Sequence, residues 1–285
     1  MPVKPLERGK NAYIPKALAK QVGVVIQEDA ATERIRAIKS LLNKLTLERF
    51  DAIAEQIAKV GIPDDEALAS VIDLIYEKAL DETHFASMYA RLCQYLVENL
   101  SRFEPWIEAT LTRNQVRRAM VLRCQNQFYN DEKIADTAEL EEELRQARQN
   151  IDELTAEQKE AFVKRQEDVF KAKRRVLGNV RFVGEIFAMG LLSARIVLRC
   201  ATQIYDKVKV TPDDGEMETL CNLLTRAGPT LETTTMPNPN ATQPNAPSIL
   251  CSDLLNKMFQ DLAPLAQDKR FSSRIRFMLM DLFEL

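Results

Sequence analysis

From Glu33 onward the apolar residues of this chain recur with the period of a helix and nowhere with the alternation of a strand. Ile35, Ile38, Leu41, Leu42 and Leu45 form one stripe at spacings of three and four, which puts them on one helical face. Leu47, Phe50, Ile53, Ile57 and Val60 form the next, and Gly61-Ile62-Pro63 ends it, because glycine accepts the capping backbone and proline cannot continue a helix. Leu68, Val71, Ile72, Ile75 and Ala79 make a third stripe; Phe85, Met88, Leu92 and Leu96 make a fourth. Thr46 and Asp81 fall between stripes, where short side-chain oxygens cap helices. Amphipathic segments continue over residues 114–129, 156–176, 182–189, 192–207, 215–226 and 248–262.

None of these helices can bury its stripe alone. Pairs joined by short turns at roughly 40-residue spacing match the period of HEAT-type repeats. The expected fold is therefore all-α, an α-solenoid of about five antiparallel helix pairs over residues 33–285, with no sheet. An irregular helical bundle is the alternative, since the pairs show no close self-similarity. With 8 glycines in 285 residues and abundant Leu, Ala, Glu, Lys and Arg, composition favours helix. Residues 1–32 lack a long periodic segment and contain Pro2, Pro5 and Pro15, which reads as a flexible arm. Two stretches interrupt the array: the acid-rich residues 131–152, read as a solvated helix or loop, and residues 232–247, whose Pro, Asn and Thr exclude a regular element.

Little in the chain suggests catalysis. His84 is the only histidine and has no Cys or carboxylate at ligand spacing, so neither zinc nor a histidine-based triad has a basis. The expectation is a protein that is not an enzyme and has no metal or cofactor. Gly178, Gly184 and Gly190 are spaced six apart, follow no strand and do not make a nucleotide-binding loop; close helix packing and helix-end turns suit them better. Five scattered cysteines without a CxxC read as small core residues in a reducing compartment. No apolar run approaches the roughly 20 residues of a membrane span, and no secretory signal is evident. The net charge of −3 argues against wholesale polyanion binding. Basic residues do cluster locally: Lys164, Arg165, Lys171, Lys173, Arg174 and Arg175 run toward Arg181, and Arg113, Arg117 and Arg118 make a smaller group. Such patches meet RNA phosphates, but acidic neighbours dilute this one and no aromatic stacking platform is expected beside it.

Residues 272–285 make the final helix. Ile275, Met278, Leu279 and Leu282 form its stripe, while Phe277, Met280 and Phe283 cover much of the rest. A terminal repeat normally presents a polar outer face, so this end is expected to continue into more chain or to be covered by another protein.

Three blocks resemble the middle domain of eukaryotic translation initiation factor 4 gamma, the scaffold of the cap-binding complex. The first is residues 38–50, centred on Leu42-Asn43-Lys44-Leu45-Thr46, with residues 71–79 downstream. The second runs from Leu177 to Phe187, LGNVRFVGEIF. The third is Ser272 to Leu279, SSRIRFML. Together they frame nearly all of residues 33–285. The resemblance implies a crescent of five helix pairs that docks the DEAD-box RNA helicase initiation factor 4A and readies it for ATP turnover. Carried over by position, Leu42, Asn43, Lys44, Leu45 and Phe50 belong to one helicase contact zone. Phe182 and Glu185, then Arg274, Arg276 and Phe277, belong to the rest. Leu45 and Phe182 equally fit core positions; Phe277 lies off its helix's stripe. The family also carries a cap-binding-protein motif, for the initiation factor 4E type, of Tyr, four residues, Leu and a large apolar residue. Tyr13 and Leu18 match it, Ala19 departs from it, and Val22 shares a helical face with Leu18. The arm and the end of the chain at the repeat domain read as a short form of the scaffold, without a second helicase-binding module. The implied role is cytoplasmic recruitment of mRNA to the ribosome. Direct contact with mRNA, through Lys171, Lys173, Arg174, Arg175 and Arg117, is a further expectation. The rival is a related middle-domain scaffold of mRNA decay, splicing or nuclear cap binding.

Overall fold

The computed structural model describes residues 30–104, 109–135, 155–237 and 248–284. Among them lie ten α-helices in five successive pairs: α1 (Ala30–Leu42) with α2 (Phe50–Ala58), α3 (Asp65–Asp81) with α4 (Ala86–Asn99), α5 (Ala109–Ala135) with α6 (Ala156–Ala188), α7 (Ala194–Val210) with α8 (Asp214–Glu232), and α9 (Cys251–Leu262) with α10 (Ser273–Glu284). Packing passes from pair to pair. α3 touches α1, α4, α5 and α6, and α8 touches α6, α7, α9 and α10. One continuous apolar core runs from Ile38 to Leu282. The HEAT-type solenoid expected from the periodicity is the observed fold.

Local chemistry explains where the helices start. The Asp64 side chain accepts from Ala67 N (2.8 Å) at the head of α3, and Asp213 does the same for Glu216 N (2.9 Å) at α8. Thr155 and Gln158 form a reciprocal capping box at α6, which satisfies two otherwise orphaned N–H groups. Asp81, expected as a cap, is instead the last residue of α3 and pairs with Arg175 at 3.3 Å. Thr46 does act locally, accepting from Arg49 N at 3.3 Å.

The two segments expected over 156–176 and 182–189 are one helix of 33 residues. Gly178 and Gly184 do not break it because they serve contacts with other helices. A Cβ on Gly178 would meet the Leu80 carbonyl oxygen and Thr83 Cγ2 at 3.0 Å; one on Gly184 would lie 3.4 Å from Arg226. Gly190, at φ 70°, ends the helix with Leu191 N donating to Ile186 O at 3.0 Å and Gly190 N to Phe187 O at 2.8 Å, a left-handed cap. Gly61, at φ 98°, also adopts the left-handed conformation just after α2.

The expectation of no strand is corrected at one place. β1 (Thr235–Met236) and β2 (Ile249–Leu250) pair antiparallel, Thr235 opposite Leu250 and Met236 opposite Ile249. Met236 is buried and Cys251 N donates to Thr234 O at 3.0 Å, so burial and the start of α9 hold the short ladder in place. Residues 238–247 between the strands, most of the acid-rich stretch, and Tyr13, Leu18 and Val22 of the arm lie outside the described residues.

All five cysteines are buried and unbridged. Burial pushes the thiols of Cys93, Cys124 and Cys221 up to about 12. They stay protonated near neutral pH and are poor nucleophiles, as core cysteines should be.

Candidate docking surface

The second of the three blocks lies on α6 and works mainly as a junction. Asn179 is fully buried, and its Oδ1 accepts from the Tyr76 hydroxyl of α3 at 2.5 Å. The Cys124 sulfur of α5 is 3.4 Å from the same hydroxyl oxygen. The Phe182 ring stands edge-on to Tyr76, with centroids 5.0 Å apart at 83°, a favoured aromatic geometry. Burial raises the Tyr76 pKa well above its ordinary value, so the phenol keeps its proton and remains a donor. The Arg123 guanidinium lies 4.8 Å from the Tyr76 ring centroid.

Arg123 also pairs with Asp73 at 2.9 Å and with Glu77. Arg175 pairs with Glu77 at 2.7 Å and Asp81 at 3.3 Å. Acids and bases therefore alternate along one face of α3, from Asp73 through Arg123, Glu77 and Arg175 to Asp81. This clasp ties α3 to α5 and α6.

These facts correct part of the expected contact surface. Phe182 is fully buried, and Leu42, Leu45 and Phe50 are core residues as well. Phe50 carries the Arg91 guanidinium 4.1 Å from its ring centroid and the edge of Tyr95 at 6.4 Å. Such side chains can shape a surface from beneath but cannot anchor a partner directly. Asn43, Lys44 and Leu47 are among the residues that the first block exposes. The sequence placed Leu47 in a core stripe, yet it is 68% exposed. α1 ends at Leu42, and the turn that follows folds Leu45 inward and leaves Leu47 outside.

Glu185, on α6, is buried with Oε2 2.9 Å from Arg226 Nε of α8, an ion pair not aligned as a hydrogen bond. Arg274, on α10, grips both oxygens of Glu218 of α8, one at 3.0 Å. The hydrogen bonds and the negative charge of Glu218 raise the Arg274 pKa, against a smaller opposing effect of desolvation. Glu218 and Arg226 are two turns apart, about 12 Å along α8. The second and third blocks are thus both fastened to one helix. The first block, on α1 and α2, packs on α3 and α4 instead.

Within α10 the stripe divides as expected. Ile275, Leu279 and Leu282 are buried and Met278 partly so, while Phe277 is 62% and Met280 47% exposed. Phe283 leans edge-on against Phe259 of α9, centroids 6.1 Å apart. Arg276 is half-buried; its Nη2 donates to Ser273 Oγ at 3.3 Å, and its buried Nε has no hydrogen-bond partner among the described residues. At the helix head, Ser272 N donates to Asp214 Oδ1 at 3.1 Å.

The basic cluster also changes on inspection. Arg175 is consumed by Glu77 and Asp81, and Lys171 lies 3.8 Å from Glu167. Arg174 is exposed and Arg117 half-buried; Lys173 lies on the same helix as Arg174. The expectation of no aromatic beside the cluster is wrong. Phe170, one turn before Arg174, is 68% exposed. The reason is geometric: in the first half of α6, before Gly178, Phe162 is the buried apolar residue, whereas Val163 and Phe170 face outward. Among the described residues no group of His, Cys, Asp and Glu could hold a metal ion, and no helix is long and apolar enough to cross a membrane.

An array of helix pairs with exposed aromatic and charged edges around one continuous apolar core defines a helical-repeat domain. The MIF4G domain model matches residues 35–285, and the chain belongs to the MIF4G domain family. It is 29% identical over 280 residues to human eukaryotic translation initiation factor 4 gamma 3, covering 98% of this chain and 16% of that protein. It is 31% identical over 296 residues to the Saccharomyces cerevisiae eukaryotic initiation factor 4F subunit p150, covering 99% of this chain and 29% of that one. The chain spans less than a third of the length of these two relatives. Among solved structures it matches the MIF4G domain of Trypanosoma cruzi translation initiation factor EIF4G5, with a TM-score of 0.50 at 20% identity over 88% of this chain and 94% of that chain.

Proposed function

We propose that this MIF4G domain is a non-catalytic scaffold of translation initiation that docks and stimulates the DEAD-box helicase initiation factor 4A in the cytoplasm. The observation that carries the reading is the pair of blocks tied to α8: Glu185 through Arg226, and Arg274 through Glu218, beside the exposed Phe277. Asn43 and Lys44, with Leu47, supply a second contact zone at the other end of the array. Two zones on one rigid scaffold suit a helicase with two lobes, because holding both in register lowers the entropy of closing them. The protein alone should show no ATP turnover, and saturating amounts should raise the helicase's ATPase rate. Unchanged helicase turnover would leave only passive tethering and remove the proposed mechanism.

The arm is the proposed seat for a cap-binding protein of the initiation factor 4E type, with Tyr13 and Leu18 as anchors and Val22 as support. Short helical peptides gain most of their affinity from a few apolar anchors. Tyr13→Ala with Leu18→Ala should abolish co-purification of that protein; survival of the complex in the double variant would refute the assignment.

Phe170 favours a second, compatible contact, with single-stranded mRNA. An exposed ring one turn from Arg174, with Lys171 next to it in sequence, offers stacking and phosphate neutralisation together. Stacking on an aromatic side chain contributes about 1–3 kcal/mol per base. Phe170→Ala should weaken binding of an unstructured RNA by about 5- to 150-fold at fixed salt. Arg174→Ala should instead reduce the salt dependence of binding by about one ion. Fluorescence anisotropy across a salt series reads both effects, and RNA affinity indifferent to Phe170 would dismiss the stacking role.

A further inference from the structure

We propose that Met280 is an oxidation site at which peroxide converts the thioether to a sulfoxide and so loosens the docking face of α10. The chain has nine methionines, and Met1 lies outside the described residues. Of the others, Met189 and Met278 are partly buried against the core. Five more are buried, Met88 and Met217 among them. Met280, 47% exposed, is the one methionine among the described residues that stands in solvent. The thiols do not compete for the oxidant. All five cysteines are buried, and burial raises the pKa of each, so none carries the thiolate that peroxide attacks.

The position of Met280 gives its oxidation a consequence. It follows Phe277 by three residues and precedes Phe283 by three, which makes the three side chains successive neighbours on the surface of α10. Phe277 is the exposed ring assigned to the helicase, and Phe283 is 36% exposed. A thioether between two aromatic side chains extends their apolar face, since sulfur packs well at ring edges. With hydrogen peroxide, the sulfur gives two electrons to one peroxide oxygen. The S–O bond forms, the O–O bond breaks, and the second oxygen leaves as water with both protons. The product is a polar sulfoxide. A partner surface fitted to an apolar side chain offers that oxygen no donor, and an unpaired polar group is costly to desolvate. The helix itself tolerates the change, because Ile275, Leu279 and Leu282 are its buried residues. A methionine sulfoxide reductase reverses the step: the oxygen leaves as water while two thiols become a disulfide. The effect on docking rests on the helicase reading above; the selectivity for Met280 does not.

Mild hydrogen peroxide on the full chain, quenched with catalase and followed by peptide mass spectrometry, tests the selectivity. Met280 should oxidise at least about tenfold faster than Met88 or Met217. The oxidised chain, titrated with the helicase initiation factor 4A, should bind about 5- to 150-fold more weakly, with its melt nearly unchanged. Sulfoxide reductase should restore the binding. Met280→Leu keeps the apolar volume and removes the sulfur, so it should bind like the parent both before and after peroxide. Oxidation of Met280 no faster than that of the core methionines overturns the proposal. So does undiminished binding by a chain fully oxidised at Met280, or a Met280→Leu chain that peroxide weakens as much as the parent. In each of those cases the reduced chain still binds and the docking reading stands. A reduced chain that binds no helicase overturns both.

Discussion

Phe182→Ala is expected to cost about 3–5 kcal/mol of stability, the range for deleting a buried aromatic side chain. The ring is fully buried and stacked edge-on against Tyr76, so its loss opens a cavity where α3 and α6 meet. It also frees Tyr76, whose hydroxyl is committed to Asn179. For a chain of this size the melting temperature should fall by about 6–20 °C. Urea unfolding at 15 °C and a thermal melt measure the loss directly. Helicase binding measured well below the melt should change little. If the variant melts like the parent yet no longer binds helicase, Phe182 is a contact residue after all and the junction described here is wrong.

Phe277 should behave in the opposite way. It projects from α10 at 62% exposure, so its removal costs the folded chain little. A phenylalanine desolvated on docking contributes about 1.5–3 kcal/mol, so Phe277→Ala should weaken helicase binding by about 10- to 150-fold and leave the melt nearly unchanged. Ile275, two residues earlier, is fully buried; Ile275→Ala should destabilise by about 2–5 kcal/mol. Calorimetric titration and thermal melting of the two variants form a matched pair. A Phe277→Ala melt as low as that of Ile275→Ala would put Phe277 in the core and remove the docking face from this end of the array.

The difference between these two phenylalanines shows what sequence could reveal. In α10 the stripe of Ile275, Leu279 and Leu282 is short and clean, so Phe277 stands visibly off it, and exposure follows. In α6 the period runs for 33 residues, and two glycines suggest a break. Only contacts with α3 and α8 reveal those glycines as close-approach sites. A glycine that ends a helix and one that admits a neighbour look identical in one dimension. Leu47 misled for a related reason: it keeps helical spacing with Phe50, but the chain is turning there, and spacing carries no information once the helix has ended. Phe170 was hidden because periodicity reports which side of a helix is apolar, not whether another helix lies against that side. Asp64 was legible in principle, as an aspartate heading a helix after Pro63; Thr46 and Asp81 fit the same pattern of a short polar side chain between stripes, yet neither is an N-cap residue. The salt-bridge clasp of α3 needed three dimensions, since Arg123 and Arg175 come from distant helices.

The small ladder of β1 and β2 has a practical consequence. Its pairing fixes the entry and exit of residues 238–247 side by side at the edge of the array. Whatever length of chain is placed between those two points begins and ends at the same spot, so α8 and α9 never register the difference. The entropy of closing such a loop grows only logarithmically, about 0.6 kcal/mol per doubling. The array can therefore carry an inserted tag, a fluorophore-bearing peptide or a whole small domain at this position and keep its spacing, which makes it the natural place to attach a reporter without disturbing either proposed docking zone.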